Sequence, residues 1–434
     1  LRIVIATIGT RGDVQPYVAL AQGLIAAHHR VTLCTHRTFQ PFVEAHNVEF
    51  APLAGDIRSL LASDVGRRLL VERNPLAAVR KLHSLAAPLL RQVMADIIDA
   101  ADGADLILAS TLAYPNAITA SQVHRVALVL AGLQPFTPTV DFPCALLPPL
   151  RRRFPGRGLY HRFTHHAAFR LLQLTSARLA NRFRRELVGL PALRYADVFG
   201  DLIAQRTPVI YGFSEHLLPR PADYAPTIKI TGFWFLDQEQ TWRPSEELQD
   251  FITKGEAPIY IGFGSMADRN PEQLMQIAIA ALMRSGRRGI LATGWEGMRG
   301  RSPSNSILMI DGAPHDWLFP RVAMVVHHGG VGTVAAALRA GVPQIVTPFS
   351  VDQPLWAEMV FRRGVGPKPL SRQQLNVARL TEAITTTLAD SQVRATARCL
   401  AGAVQAEDGV GRAVDAVNRI LFAGHQFDRP RVGA

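Results

Sequence analysis

Residues 323–353, AMVVHHGGVGTVAAALRAGVPQIVTPFSVDQ, hold the side chains best suited to chemistry in this chain. The apolar segment Ala323–Val326 reads as a strand. It runs into His327, His328, Gly329, Gly330, Val331, Gly332 and Thr333, and Val334–Arg339 reads as a helix directly after. A glycine-rich turn between strand and helix aims backbone N–H groups at one spot, where the positive helix end favours an anion. Two histidines at the mouth of that turn add donors suited to phosphate. The plainer alternative for His327 is a loop histidine satisfied by its neighbours. A second strand, Gln344–Thr347, delivers Pro348 and then Asp352 and Gln353 near the same strand ends. A carboxylate beside an amide grips sugar hydroxyls. A diphosphate next to a sugar describes a nucleotide sugar.

The elements that would position these groups fall into two similar halves. The first opens with strand Ile3–Ala6, loop Thr7–Pro16, helix Tyr17–Ala27 and strand Val31–Thr35. Helix Leu85–Ala101, strand Asp105–Ala109, helix Asn116–Val123 and strand Val126–Leu130 follow. The second opens with strand Ile259–Gly262 and loop Phe263–Met266. Helix Pro271–Ser285, strand Gly289–Thr293 and a strand near Ile307–Ile310 lead to the motif above. Strands alternating with helices predict α/β architecture, with a parallel, doubly wound sheet in each half. A Pro- and turn-rich stretch, Pro219–Pro244, reads as the connection. The expected division is 1–225, a linker at 226–245, a second domain at 246–410 and a tail helix within 411–434.

Composition narrows the class. A length of 434 residues allows two to three domains, and 48% apolar residues are ample for their cores. The longest apolar runs are strand-sized, so no membrane span is expected. The start, Leu1–Thr10, reads as a first strand and not as a signal peptide. Cys34, Cys144 and Cys399 are far apart and form no metal pattern, which fits a reducing cytoplasm. The net charge of +12 is concentrated between Arg151 and Arg185, where no Asp or Glu occurs. Phe154, Tyr160, Phe163, Phe169 and Phe183 are interleaved there. A solvated helical face with a core stripe is one reading. Weak peripheral contact with an anionic membrane, at its inner surface, is the other. No nucleic-acid motif is present, so a nucleic-acid partner is not expected.

Further motifs complete the picture. They are Gly9-Thr10-Arg11-Gly12-Asp13-Val14-Gln15-Pro16, Leu133-Gln134-Pro135, Tyr211-Gly212-Phe213-Ser214, Thr231-Gly232-Phe233-Trp234 and Pro314-His315-Asp316-Trp317-Leu318-Phe319. With the His327-His328-Gly329-Gly330 turn and Asp352-Gln353-Pro354 they run through nearly the whole chain in order. The chain thereby resembles the UDP-glycosyltransferase superfamily, nearest its sterol glucosyltransferase-like and bacterial natural-product branch. The resemblance implies the GT-B fold, two Rossmann-like domains facing across a cleft. It implies an acceptor in the first domain, a nucleotide sugar in the second, and a last helix, Gly411–Phe422, that crosses back to the first.

Glycosyl transfer needs a base at the acceptor hydroxyl, charge stabilisation on the departing diphosphate, and alignment of the two. His327, His328, Gly329, Gly330, Gly332, Thr333 and Ser265 suit the diphosphate. By resemblance, His327 is the phosphate-binding histidine, and Asp352 and Gln353 hold the sugar. No Asp-x-Asp metal motif occurs, so neither metal nor cofactor is expected. Asp13 lies in the loop after the first strand, at the carboxyl edge where ligands gather in such sheets. Asp13 is the candidate base. Many relatives have a histidine in this loop and a later aspartate to orient it, whereas here the later segment reads Ala109-Ser110-Thr111. The alternative for Asp13 is a cap for helix Tyr17–Ala27, although the capping slot would be Gln15.

Plant relatives place a stacking Trp before an Ala-Pro pair, but here Gly312 precedes Ala313-Pro314. Ala313, with Trp295 or Trp317, is left to meet the base, and uracil against thymine stays open. Thr10, Tyr114, Gln134, Phe136 and Phe142 are expected around the acceptor. Their Phe- and Pro-rich segments favour a lipophilic alcohol. The reading is therefore an inverting, metal-independent transfer of glucose from UDP-glucose to a sterol- or triterpenoid-like hydroxyl. A polyketide, glycopeptide or lipid acceptor with a UDP- or dTDP-sugar is the alternative. A nucleotide-sugar epimerase and a non-catalytic binder are alternatives from other classes.

Overall fold

The computed structural model describes residues 1–55, 75–145, 155–194, 196–238, 242–264, 271–292, 304–349 and 352–427. The chain forms two compact units. One holds Leu1–Phe213, Arg220–Leu236 and Asp408–Ala434; the other holds Ser214–Pro219 and Asp237–Glu407.

In the first unit lie β1 (Arg2–Ala6), β2 (Arg30–His36), β3 (Glu49–Leu53), β4 (Leu106–Ala109), β5 (Ala127–Gly132), β6 (Val209–Tyr211) and β7 (Ile228–Ile230). They form one sheet in the order β3-β2-β1-β4-β5-β6-β7, with every pair parallel. The inner strands are apolar throughout and buried, as in β4, because helices cover both faces of a parallel sheet. The strand order reverses between β1 and β4. Connections leave on opposite faces there, so a crevice opens outside the carboxyl ends of those two strands. Thr7–Thr10 and Ser110–Ala113 lie at that edge.

The second unit holds β8 (Ile259–Gly262), β9 (Gly289–Ala292), β10 (Ile307–Ile310), β11 (Met324–His327) and β12 (Gln344–Val346). Their order is β10-β9-β8-β11-β12, again all parallel. The two-residue period of the strands splits the core. Met324 and Val326 join Ile259, Ile261 and Ile345 on one face. Val325 joins Tyr260, Ile290 and Leu308 on the other. The reversal lies between β8 and β11, so Phe263–Gly264 and His328–Gly330 meet at the second crevice.

Three expectations change. The first helix, α1, runs from Arg11 to Ala26, six residues ahead of its expected start, with Pro16 inside it. The stretch expected as a linker at 226–245 contains β7, and Arg220–Leu236 packs with the first unit. Strands β3 and β6, absent from the expected set, complete the first sheet. The last helix spans Gly409–Phe427 and groups with the first unit. There Val410 and Val414 close over Gly23 of α1.

Candidate active site

At the second crevice the sheet delivers two adjacent histidines into different surroundings. His327 ends β11 and is fully buried. The Gly329 N–H donates to its Nδ1 at 3.1 Å. That leaves the ring proton on Nε2, 3.0 Å from the Gln344 side-chain oxygen. The Gln344 amide nitrogen in turn donates to the Val334 carbonyl at 3.3 Å. Both ring nitrogens of His327 thus meet partners within the protein. His327 braces the turn by holding the Gly329 amide.

His328 follows the strand and sits between two glycines. A Cβ on Gly264 would meet its ring at 2.8 Å, and one on Gly330 at 2.7 Å. Its Nδ1 is buried and makes no hydrogen bond among the described residues. Glycine is also required at Gly329, where φ is +95° and a Cβ would press on Val346 at 2.8 Å. The helix Val331–Ala340 then starts from Gly330 with no side-chain cap and no acid in its first turn. Gly332 opens onto empty space, and the Thr333 N–H bonds back to the Gly330 carbonyl at 3.0 Å. The positive end of a ten-residue helix, a glycine turn and an imidazole thus share one edge.

Asp352 and Gln353 adjoin this turn. Gly329 packs against the backbone of Gln353, and Thr347 N–H donates to the His327 carbonyl at 2.8 Å. The Asp352 carboxylate accepts from the buried Trp356 indole N–H at 2.8 Å. The Gln353 side-chain oxygen accepts from Phe349 N–H at 2.8 Å. Both side chains are set by these bonds close to the glycine turn. Ala313 is half-buried at the edge of the second core. Trp317 belongs to that core, edge-on to Trp242 at 5.0 Å, and offers no open face for a nucleotide base. Ser265 and Trp295 lie outside the described residues.

Burial pushes the His327 pKa down to about 3, with His328 beside it adding to the shift. Burial likewise brings His328 to about 4. Both rings are neutral at pH 7. Because the folded values lie below the ordinary 6.5, the unfolded chain binds more protons. The stability contributed by keeping these two rings neutral is complete above pH 6.5 and falls as pH drops toward about 3. Thermal melts across that window should show the loss. His327→Gln, which keeps an acceptor and a donor without a titrating ring, should flatten part of it. Identical pH dependence in the variant would show that this burial does not govern acid stability.

In the first unit, Asp13 sits at the third position of α1 and not ahead of a later helix. Its Oδ2 accepts from the Thr10 N–H at 2.8 Å and the Thr10 hydroxyl at 3.0 Å. This is the acidic half of a capping box, so Asp13 does cap a helix, but the one that contains it. Gly9 makes room: its φ is +147°, and a Cβ there would overlap the Asp13 carboxylate. The carboxylate is half-buried at the β1–β4 crevice. Among the expected acceptor residues, Thr10 is exposed beside it and Gln134 is half-buried. Tyr114, Phe136 and Phe142 are buried. Phe136 stacks on Phe169 at 6.4 Å, and Phe142 meets His165 edge-on at 6.3 Å. These three rings are packed inside the first unit. The structural part of Gln344 and of Gly264 was not expected. A lone amide in an otherwise apolar strand was the available signal, since buried polar groups need partners.

Among the described residues no group of three or more His, Cys, Asp or Glu is placed to hold a metal ion. Residues 3–120 match the model of the glycosyltransferase family 28 N-terminal domain. Residues 298–412 match that of the erythromycin biosynthesis protein CIII-like C-terminal domain. Two sterol 3-beta-glucosyltransferases of Arabidopsis thaliana are each 36% identical, one over 98% and the other over 97% of this chain. The chain spans 66% and 68% of their lengths. A sterol 3-beta-glucosyltransferase of Neurospora crassa is 34% identical over 97% of the chain, which spans only 27% of it. The calicheamicin glycosyltransferase superposes with a TM-score of 0.69 at 18% identity, covering 100% of this chain and 99% of that one. The glycosyltransferase VinC in complex with dTDP gives 0.63 at 16% identity, covering 98% and 100%. At such identities the solved structures establish the shared GT-B fold alone.

Proposed function

The chain belongs to the glycosyltransferase family that contains the sterol 3-beta-glucosyltransferases, and on that footing we propose that it transfers glucose from UDP-glucose to the hydroxyl of a sterol. The observation that carries the donor half is the glycine turn at the β8–β11 crevice, where an uncapped helix end and His328 converge. A diphosphate leaving group builds negative charge as the sugar C1–O bond breaks. Fixed N–H dipoles and an imidazole donor stabilise that charge without reorganising. Asp352 and Gln353 bind sugar hydroxyls beside it. His327 acts through the Gly329 amide.

In the acceptor half, the sterol hydroxyl passes its proton to the Asp13 carboxylate as its oxygen bonds to C1 from the side opposite the diphosphate. The configuration inverts. A carboxylate is a weak base, so proton transfer lags behind C1–O cleavage and the centre becomes oxocarbenium-like. No metal is needed for this charge balance.

The test is UDP release from UDP-glucose, with and without a 3β-hydroxysterol, in EDTA. Release that depends on the sterol, with a β-linked glucoside by NMR, is expected. Abolition by EDTA or an α-linked product would overturn the mechanism. A sugar isomer formed without any acceptor would mean an epimerase.

A further inference from the structure

The basic segment forms most of one helix, Arg157–Val188, and the structure shows which way its residues face. His161, Thr164, His165, Ala168 and Phe169 are buried against the first unit. The opposite face carries Leu159, 75% exposed, and Phe163, 66% exposed, one turn apart. Arg162, His166 and Arg170 are exposed around them, and Leu171 is 60% exposed further along the helix. Val140, 39% exposed, packs beside Gly158 and extends the apolar strip. From Arg157 to Arg185 the helix contains no acid; Glu186, the first, pairs with Arg182 and Arg91. Phe163 is therefore not part of the core stripe to which Phe169 and Phe183 belong.

We propose that this face, centred on Leu159 and Phe163 and flanked by Arg162, Arg170 and Arg178, docks on an anionic lipid bilayer. The chemistry is that of an interfacial helix. Two bulky apolar tips enter the acyl boundary while guanidinium groups stay at the headgroups. A second protein would match the apolar strip, but the helix from Arg157 to Arg185 carries charge of one sign, with the exposed Asp141 only at the edge beside Val140, which fits a surface of lipid phosphates better. Among the described residues no helix is long and apolar enough to cross a membrane, so contact through this face is peripheral. Each arginine near such a surface strengthens binding about fivefold. The proposal does not depend on the transferase reading, because its test reads no turnover.

The experiment is co-sedimentation of the whole chain with vesicles of pure phosphatidylcholine and of an equal mixture with phosphatidylserine. Binding is expected to the mixed vesicles only, at low salt, and to fade as salt screens the charges. Phe163→Ser with Leu159→Ser should lose binding at any salt. Arg162→Glu with Arg178→Glu should weaken it at least about tenfold. Circular dichroism checks that the helix survives. Equal binding to both vesicles, or variants that bind like wild type, would overturn the proposal. So would a dimer in solution that Phe163→Ser dissolves, since the strip would then be covered by a second copy.

Discussion

Asp13→Asn should lower glucosyl transfer by about 10² to 10⁴-fold, the range for losing a general base. The prediction has force because the structure gives Asp13 a second task. Its Oδ2 receives two bonds from Thr10, and Asn keeps an oxygen for both. What Asn loses is basicity and the favourable charge at the helix start, the latter about 0.3–1 kcal/mol. Activity should therefore collapse while the thermal midpoint moves by a few degrees at most. Steady-state rates and melts on the same preparation decide it. If stability drops and activity persists, Asp13 only caps α1 and the base lies elsewhere. Gly9→Ala offers a second view, because the added methyl displaces the same carboxylate. It should lose activity even though the acid is retained.

His328→Ala should cost about 10²-fold in kcat/KM for the sugar nucleotide, the loss of one donor to the developing diphosphate charge. Folding should be little affected, because no bond among the described residues depends on its Nδ1. His327→Ala should behave differently. It strands the buried Gln344 side chain and frees Gly329 N–H, at a cost of about 1–3 kcal/mol in stability. His327→Gln, which preserves those bonds, should retain most activity. If His327→Gln abolishes UDP binding while His328→Ala leaves it intact, the phosphate contact belongs to His327. Calorimetric titration with UDP separates the two.

Much of this arrangement is legible in the amino-acid order. The alternation of strands and helices, the glycine turn, and Asp352-Gln353 after the next strand all place polar groups at strand ends. The start of α1 is legible too, but one residue obscures it. Pro16 looks like a first-turn proline, yet Thr10 and Asp13, three residues apart, already form the capping pair that starts the helix earlier. Strands β6 and β7 are only three residues each. Such short runs carry no period of their own, and only their neighbours in the sheet make them strands.

The amino-acid order by itself determined the two-domain α/β class and the glycine-rich turn between strand and helix. It did so because glycine, helix-cap and strand patterns act over a few residues. Which histidine is held inside the core and which emerges past the strand was decided by the tertiary structure. His327 and His328 are adjacent in the sequence, but strand pleating turns the first into the core, where Gln344 waits on a strand paired alongside. The second emerges past the strand end, into a slot that Gly264 leaves open from a distant loop. The same holds for Phe163 and Phe169, six residues apart on one helix. They differ only in which side the rest of the first unit covers. Burial is a property of the assembled neighbours, and no local pattern contains it.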